Sequence, residues 1–294
     1  MKNNALVPLR TDDLELWLTP DAGGSILRFD HVSAAGERIP ILRGSDAVDA
    51  GPLDCGSFPL VPYCNRIRGG SFRFRGRDVA IAPNMAGDPS PLHGAGWLGR
   101  WQVEHADDQA AELRFRHQPG EWPWAYDARQ SFRLDERGLD LILACRNLSD
   151  EPMPCGLGQH PYFPCTAETE LDTKVTHAWT IDEQVLPVAR VEAVGRYDLR
   201  ARRICGQDLD NGFAGWSGEA RIRTPGTGFG IRLASPDARF FQVYSPASGG
   251  LFVAEPVSHA NAALNAPEES WPELGMDILE PGEEKRLRMR LELI

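Results

Sequence analysis

The chain reads as an all-β protein on three observations. They are a strict two-residue hydrophobic period at its C-terminal end, turn residues spaced between short apolar runs, and scarce helical periodicity with caps. In Arg286-Leu287-Arg288-Met289-Arg290-Leu291-Glu292-Leu293 apolar and charged residues alternate, so one face packs inward and the other meets water. Taken in order, Leu14 to Leu18 places leucine at every second position, and short runs at Ser71 to Phe74 and Val79 to Ile81 follow. Trp101 to Glu104 and Glu112 to Arg116 read as further strands. Ser131-Phe132-Arg133-Leu134, the turn residues Asp135-Glu136-Arg137-Gly138 and Leu139-Asp140-Leu141-Ile142-Leu143 read as a hairpin. Ala220 to Arg223 and Phe240 to Tyr244 add two more, and Pro281-Gly282-Glu283-Glu284 supplies the turn before the last strand. With 29 Gly and 23 Pro between short strands, an antiparallel sandwich or barrel is expected rather than an α/β fold. No repeat, low-complexity linker or shift in composition marks a boundary, so residues 1–294 are expected to form one large β domain with few short helices.

Length and charge exclude several functions. A chain of 294 residues with 42% hydrophobic content buries a substantial core without staples. Its net charge of -11 argues against a nucleic-acid partner, because binding phosphates calls for a concentrated basic face. Met1 to Leu16 lacks the apolar core of a signal peptide, and nowhere do about 18 apolar residues run together. A cytoplasmic protein without a membrane partner is expected, as a monomer or homodimer. The six cysteines (Cys55, Cys64, Cys145, Cys155, Cys165 and Cys205) contain no C-x-x-C and are expected to be buried free thiols.

Four polar clusters carry chemistry. The first is Gly158-Gln159-His160-Pro161-Tyr162-Phe163, and the second is Phe252-Val253-Ala254-Glu255-Pro256 far downstream. Asn65-Arg66-Ile67 and Leu92-His93-Gly94 are the others. A histidine and a carboxylate among apolar neighbours are what an enzyme needs to remove one proton and deliver another. Taken singly, each candidate has a bland explanation. A Glu before Pro is usually a solvated turn residue, a lone His is more often a hydrogen-bonded structural group, and Asp210 beside Asn211 and Gly212 is ordinary turn chemistry. Arg68, Arg73, Arg75 and Arg77 alternate along what reads as one strand, where a solvated face is preferred to a phosphate site.

Together the clusters resemble the aldose 1-epimerase (galactose mutarotase) family. The resemblance is carried by Asn65-Arg66-Ile67 with Gly70, Phe72 and Gly76, by Pro91-Leu92-His93-Gly94 with Trp101, and by Gly158 to Phe163. Leu209-Asp210-Asn211-Gly212-Phe213 and Glu255-Pro256 with Asn265 complete it, so that it runs from about residue 10 to the C-terminus. It implies a galactose mutarotase-like β-supersandwich of large antiparallel sheets with an open sugar cleft, and interconversion of the α and β anomers of a free aldose. It further implies Glu255 as base, His160 as acid, and Arg66, His93 and Asp210 as contacts to sugar oxygens. Asn65 is expected to support the loop. Two positions depart from the family's pattern: Gln159 stands where a threonine often precedes the histidine, and His259 where a proline-acidic pattern is expected.

Anomer exchange explains those residue types. The C1 hydroxyl must lose its proton while the ring oxygen gains one, so that the hemiacetal opens, rotates about C1–C2 and closes on the other face. One base and one acid suffice, and no metal or cofactor is expected. Desolvation among Phe252, Val253 and Pro256 is expected to raise the Glu255 pKa, and His160 is expected to be held as an imidazolium. Alternatives are a hexose-6-phosphate 1-epimerase, a non-catalytic sugar-binding protein of the same fold, or a glycoside hydrolase. The first usually carries a tryptophan-rich segment that is absent from Phe58 to Cys64, and the last needs a second carboxylate, for which only Asp210 stands out.

Overall fold

The computed structural model describes residues 6–47 and 49–294, and nearly all of its regular structure is antiparallel strand. Two large sheets dominate. One has nine strands, running in space from Arg202–Arg203 through Glu170–Thr173, Glu219–Arg223, Gly230–Ala234, Glu284–Leu293, Gly138–Asn147, Tyr126–Asp135 and Ala110–His117 to Gln102–Ala106. The other has eight, from Pro187–Glu192 through His177–Ile181, Leu209–Ala214, Phe240–Ser245, Leu251–Val257 and Gly158–Gln159 to Pro59–Leu60, with Tyr162–Pro164 also paired to Leu251–Val257. A four-stranded sheet is built from Val7–Arg10, Leu14–Thr19, Ser25–Val32 and Arg38–Leu42, and two two-stranded pairs complete the strands, the hairpin of Ser71–Phe74 with Arg77–Ala80 and the long-range pair of Met153–Cys155 with Asp277–Leu279. Among the described residues the one α-helix is Trp271–Leu274. No helix there is long and apolar enough to cross a membrane.

The two-residue period decides what each sheet buries. In the final strand Leu287, Met289 and Leu291 are buried while the arginines between them point outward. On the facing sheet Phe213, Phe241, Val243, Phe252 and Ala254 turn into the same core as Leu141, Leu143 and Leu287. The intervening residues of those strands therefore project from the opposite face. There Val253, Val257, Phe240 and Ala214 join Phe58, Leu60 and Tyr162 in a second apolar cluster. Glu255 and Gln242, direct cross-strand partners, lie on this second face.

The expected strands are all present, with boundaries that move by a few residues. Trp101 precedes its strand rather than starting it, because its backbone N–H donates to the Pro20 carbonyl at 2.9 Å instead of to a neighbouring strand. The arginine series does not lie along one strand. Arg68 sits in a 3₁₀ turn, Arg73 and Arg77 face each other's neighbours across the hairpin of Ser71–Phe74 and Arg77–Ala80, and Arg75 is in its turn with φ 47°. Each is exposed and paired to a carboxylate (Asp182, Asp78, Glu280 and Glu151 respectively), in keeping with a solvated surface. The cysteine expectation also needs correction. Cys55, Cys64, Cys145 and Cys155 are buried free thiols, but Cys165 and Cys205 form a disulfide across a Cα–Cα distance of 5.8 Å. The antiparallel pairing of Glu170–Thr173 with Arg202–Arg203 draws their loops together, which no spacing of 40 residues reveals.

Leu143 tests this packing. It is 0% exposed, in the middle of the nine-stranded sheet, between Gln130 and Leu287. Leu143→Ala is expected to cost about 2–5 kcal/mol in urea unfolding, through lost transfer energy and the cavity left behind. A loss under about 1 kcal/mol would mean that the site collapses freely and that the core is not close-packed there.

Candidate active site

His160 and Glu255 reach the same place from two strands joined only through their sheet. Glu255 is on Leu251–Val257, and His160 lies between Gly158–Gln159 and Tyr162–Pro164, both of which pair with that strand. Their exposures are 9% and 2%, and His160 Nε2 stands 3.4 Å from Glu255 Oε1. His160 Nδ1 and Glu255 Oε2 are buried without a protein hydrogen-bond partner. Such orphaned atoms are rare in native interiors and mark sites where a ligand or water completes the bonding. Phe58 stacks on the imidazole at 4.4 Å and Tyr162 flanks it at 4.6 Å, so the ring's plane is fixed by aromatic packing. Arg43 lies 3.9 Å over the Tyr162 ring and donates to the carbonyl oxygens of Leu53 and Cys55.

Burial governs the protonation of this pair. Desolvation pushes Glu255 well above the usual carboxylate range, the negative charge of Asp210 adds to the rise, and Arg66 opposes it. Desolvation also drives His160 down to about 3, with its own backbone opposing and the positive charge of Arg43 adding to the drop. The rise at Glu255 agrees with the expectation from its neighbours. At His160 burial acts against the imidazolium expected there, penalising the charged ring more than the residues around it stabilise it.

The Asn65-Arg66 and His93 segments meet as two tight turns. Asn65 and His93 both adopt left-handed backbone, with φ of 60° and 59°, and their chains cross-bond: the Asn65 N–H donates to His93 Nδ1 at 3.0 Å, and the His93 N–H donates to the Asn65 carbonyl at 2.9 Å. Left-handed backbone in such residues is strained and persists where the surroundings over-determine it. Here Asn84 supplies part of that constraint, accepting from the Leu92 N–H and donating to the carbonyls of Leu92 and Gly94 on either side of His93. Because His93 Nδ1 accepts, its other nitrogen carries the proton, and burial lowers its pKa well below the ordinary value so that the ring is a neutral donor. The His93 and His160 rings meet edge to face at 5.5 Å.

Arg66 and Asp210 complete the polar face. Arg66 Nε is paired with Asp88 at 2.9 Å, its Nη1 reaches the Asn65 side chain at 3.2 Å, and its backbone N–H is held by Asn261 at 3.1 Å. Asp210 sits in the strand Leu209–Ala214, not in a turn, and its Oδ1 accepts from Gln242 Nε2 at 2.8 Å. Burial lifts the Asp210 pKa to about 6, with Arg66 and the Gln242 bond opposing. The structure thus brings His160, Glu255, His93, Arg66, Asn65 and Asp210 to one region. Among the described residues no group of three or more His, Cys, Asp or Glu side chains is placed to hold a metal ion.

Comparison with known proteins gives the family and the fold. The family model described as aldose 1-epimerase matches residues 9–292. The chain belongs to the aldose 1-epimerase family. It is 36% identical over 287 residues to the uncharacterized protein YphB of Escherichia coli K12, covering 93% of each chain. It is 27% identical to the uncharacterized protein YihR of the same organism over 78% of its length and 76% of that protein's. Among solved structures, a protein of E. coli K12 provisionally described as an aldose 1-epimerase superposes with a TM-score of 0.88 at 31% identity, covering 99% of both chains. A galactose mutarotase-like protein of Clostridium acetobutylicum gives 0.83 at 16% identity, covering 100% of this chain and 99% of its own, a likeness of fold.

The two departures from the family's pattern are structural in kind. Gln159 points away from His160 into a buried amide chain, Ser57 to Gln159 to Gln130 to the Gly24 carbonyl, which ties segments of three sheets. His259 is saturated: its Nε2 accepts from the Cys64 N–H at 2.8 Å, and its Nδ1 donates to the Ala260 carbonyl at 2.7 Å. It therefore braces the backbone next to Asn65. Asp88, Asn261 and Gln242 were not singled out from the sequence. Gln242 alone had an available signal, since it lies in the expected strand Phe240 to Tyr244 and is polar on an otherwise apolar run.

Gly156 exposes the brace to test. A Cβ there would lie 1.9 Å from His259 Cδ2, an overlap that the ring or the backbone must relieve. Gly156→Ala is expected to destabilise the protein by about 1–3 kcal/mol, as other overpacked core substitutions do, read by urea unfolding. Unchanged stability would show that His259 moves off Cys64 at no cost.

Proposed function

We propose that this protein is an aldose 1-epimerase in activity as well as in family, opening and reclosing the ring of a free aldose with Glu255 and His160 as its proton-transfer pair. The observation that carries this reading is the buried pair itself, two titratable groups 3.4 Å apart, each with an unpartnered atom left for a ligand. In the forward step Glu255 takes the C1 hydroxyl proton while His160 gives a proton to the ring oxygen. The C1–O bond of the ring then breaks and an aldehyde forms. Rotation about C1–C2 presents the other carbonyl face, and the reverse transfers close the ring, returning both protons to their starting groups.

This chemistry needs one proton on the pair in all. Burial holds that proton on Glu255 in the ligand-free protein, since it raises the carboxyl and lowers the imidazole. Moving it to His160 creates a carboxylate and an imidazolium in contact, whose attraction offsets the burial of both charges. His93, as a neutral N–H donor, and Arg66 are suited to the ring and hydroxyl oxygens, with Asp210 and Gln242 accepting from and donating to hydroxyls further along the sheet. Asn65 positions both turns. Arg66 is already neutralised by Asp88, which favours an uncharged sugar over a hexose phosphate at this face.

Polarimetry of freshly dissolved pure anomers (glucose, galactose, xylose, arabinose and fucose), corrected for the spontaneous rate, tests the activity. Catalysed mutarotation of at least one is expected, and binding without acceleration would make the protein a sugar binder. Glu255→Gln and His160→Asn should each lower kcat by about two to four powers of ten, and the double variant should lose much less than the sum, because both groups serve one event. Near-wild-type turnover in either single variant removes that residue from the mechanism.

The acid–base state predicts a pH profile. The pair gains a second proton only as pH falls through the lowered His160 value of about 3, and loses its single proton only as pH rises past the raised Glu255 value. In kcat/KM His160 is therefore expected to give no limb in the ordinary imidazole range, and an acid limb at about 6 belongs to Asp210 and is removed in Asp210→Asn. A limb at about 6.5, the value of an unperturbed histidine, that persists in Asp210→Asn would contradict the buried one-proton pair.

A further inference from the structure

Behind the turn that carries His93 lies a second opening of about 410 Å³, separate from the face that holds His160 and Glu255. Its walls include Tyr63, Phe115 and Trp122, and the half-exposed Leu98 stands at its rim. The Tyr63 and Trp122 rings are 5.6 Å apart, and both residues are buried, so the aromatic surface is fixed rather than adaptable. Gly94 and Asn84, which constrain His93 on the other side, form part of the same wall.

Glu121 is the one carboxylate in the lining of this cavity. No lysine or arginine lines it. Asn84 has both ends of its amide engaged by backbone. His117 sits 3.1 Å from the Trp122 carbonyl through Nε2, so that nitrogen donates, and burial keeps the ring uncharged by lowering its pKa. Glu121 spends one oxygen on the Ala82 N–H at 2.9 Å and has the other free. The uncharged donors are the indole N–H of Trp122, buried without a partner, and the Tyr63 hydroxyl. A single carboxylate beside a wall that includes Tyr63, Phe115 and Trp122, with no lysine or arginine to balance it, is complementary to a positive charge on an apolar body.

We propose that this cavity is a binding site for a small organic ammonium ion, its apolar body against Tyr63, Phe115 and Trp122 and its ammonium on the Glu121 carboxylate. The site is independent of the sugar chemistry and draws on residues that the proton-transfer pair does not use. An anion of the same shape would meet Glu121 with like charge, and a neutral analogue would lose the charge pairing while keeping the aromatic contact.

Calorimetric titration at neutral pH with benzylammonium, benzyl alcohol and benzoate distinguishes these. Benzylammonium is expected to bind tightest and benzoate weakest. Glu121→Gln, whose amide oxygen still accepts from Ala82, should weaken benzylammonium about fivefold and leave benzyl alcohol unchanged, the scale of one partly solvated ion pair. Leu98→Trp, which fills the mouth, should weaken benzylammonium and benzyl alcohol alike, and thermal melts of both variants check that they fold. The proposal is overturned if benzylammonium gives no saturable binding, if benzoate binds as well, or if the order of affinities is the same in Glu121→Gln. Loss of benzylammonium binding in Glu255→Gln but not in Glu121→Gln would put the cation in the sugar cleft and overturn it equally.

Discussion

Burying a histidine and a glutamate side by side costs on the order of several kcal/mol per ion unless the two neutralise one another, and the rest of this structure is arranged around that constraint. His160 and Glu255 stand 3.4 Å apart where the apolar cluster of Phe58, Tyr162 and Val253 meets the polar side chains of Gln242 and Asp210. The pair tolerates burial because together it carries one proton and no net charge. It stays in register because Glu255 belongs to a strand whose alternate residues, Phe252 and Ala254, are fixed in the core between the two large sheets. The apolar core therefore positions the polar pair: a shift of one residue in that strand would turn Glu255 into the core and Phe252 and Ala254 out of it.

A second layer of constraint aims the neighbouring groups. Asn65 and His93 are held in left-handed backbone by bonds to one another, by Asn84 on one side and by His259 on the other. Arg66 is set by Asp88 and by Asn261, residues on loops distant in sequence. Polar side chains engaged with backbone in this way fix geometry without adding charge near the pair. That separation between residues that hold the loops and residues left free for a ligand gives the face its chemical character.

The sequence disclosed the sheets well and the site in outline. Alternation such as that of Leu287, Met289 and Leu291 is a direct image of one buried face, so strands were legible even where their ends were not. His160, Glu255, His93, Arg66 and Asp210 were recognisable because they sit in compact local motifs. Asp88 was not, because an Asp in a Gly/Pro-rich loop has the same local pattern whether it holds an arginine or faces water. The Cys165–Cys205 disulfide was missed for a related reason, since it depends on which loops the sheet brings together and not on the cysteine spacing. The direction of the shift at His160 was also beyond local reading. Its neighbours in sequence suggest an acid, whereas its pKa is set by complete burial under Phe58 and Tyr162 and by the charge of Arg43, none of which is visible without the fold.

The central claim is that the His160–Glu255 pair holds a single proton, with the imidazole uncharged in the ligand-free protein. Nitrogen-15 NMR of the His160 ring across a pH titration measures this directly, with His160→Asn used to assign the resonances. A neutral ring is expected throughout the neutral and mildly acidic range, protonating only toward the value of about 3 that burial imposes. Titration of the His160 ring at about 6.5, as for a solvent-exposed histidine, would contradict the account.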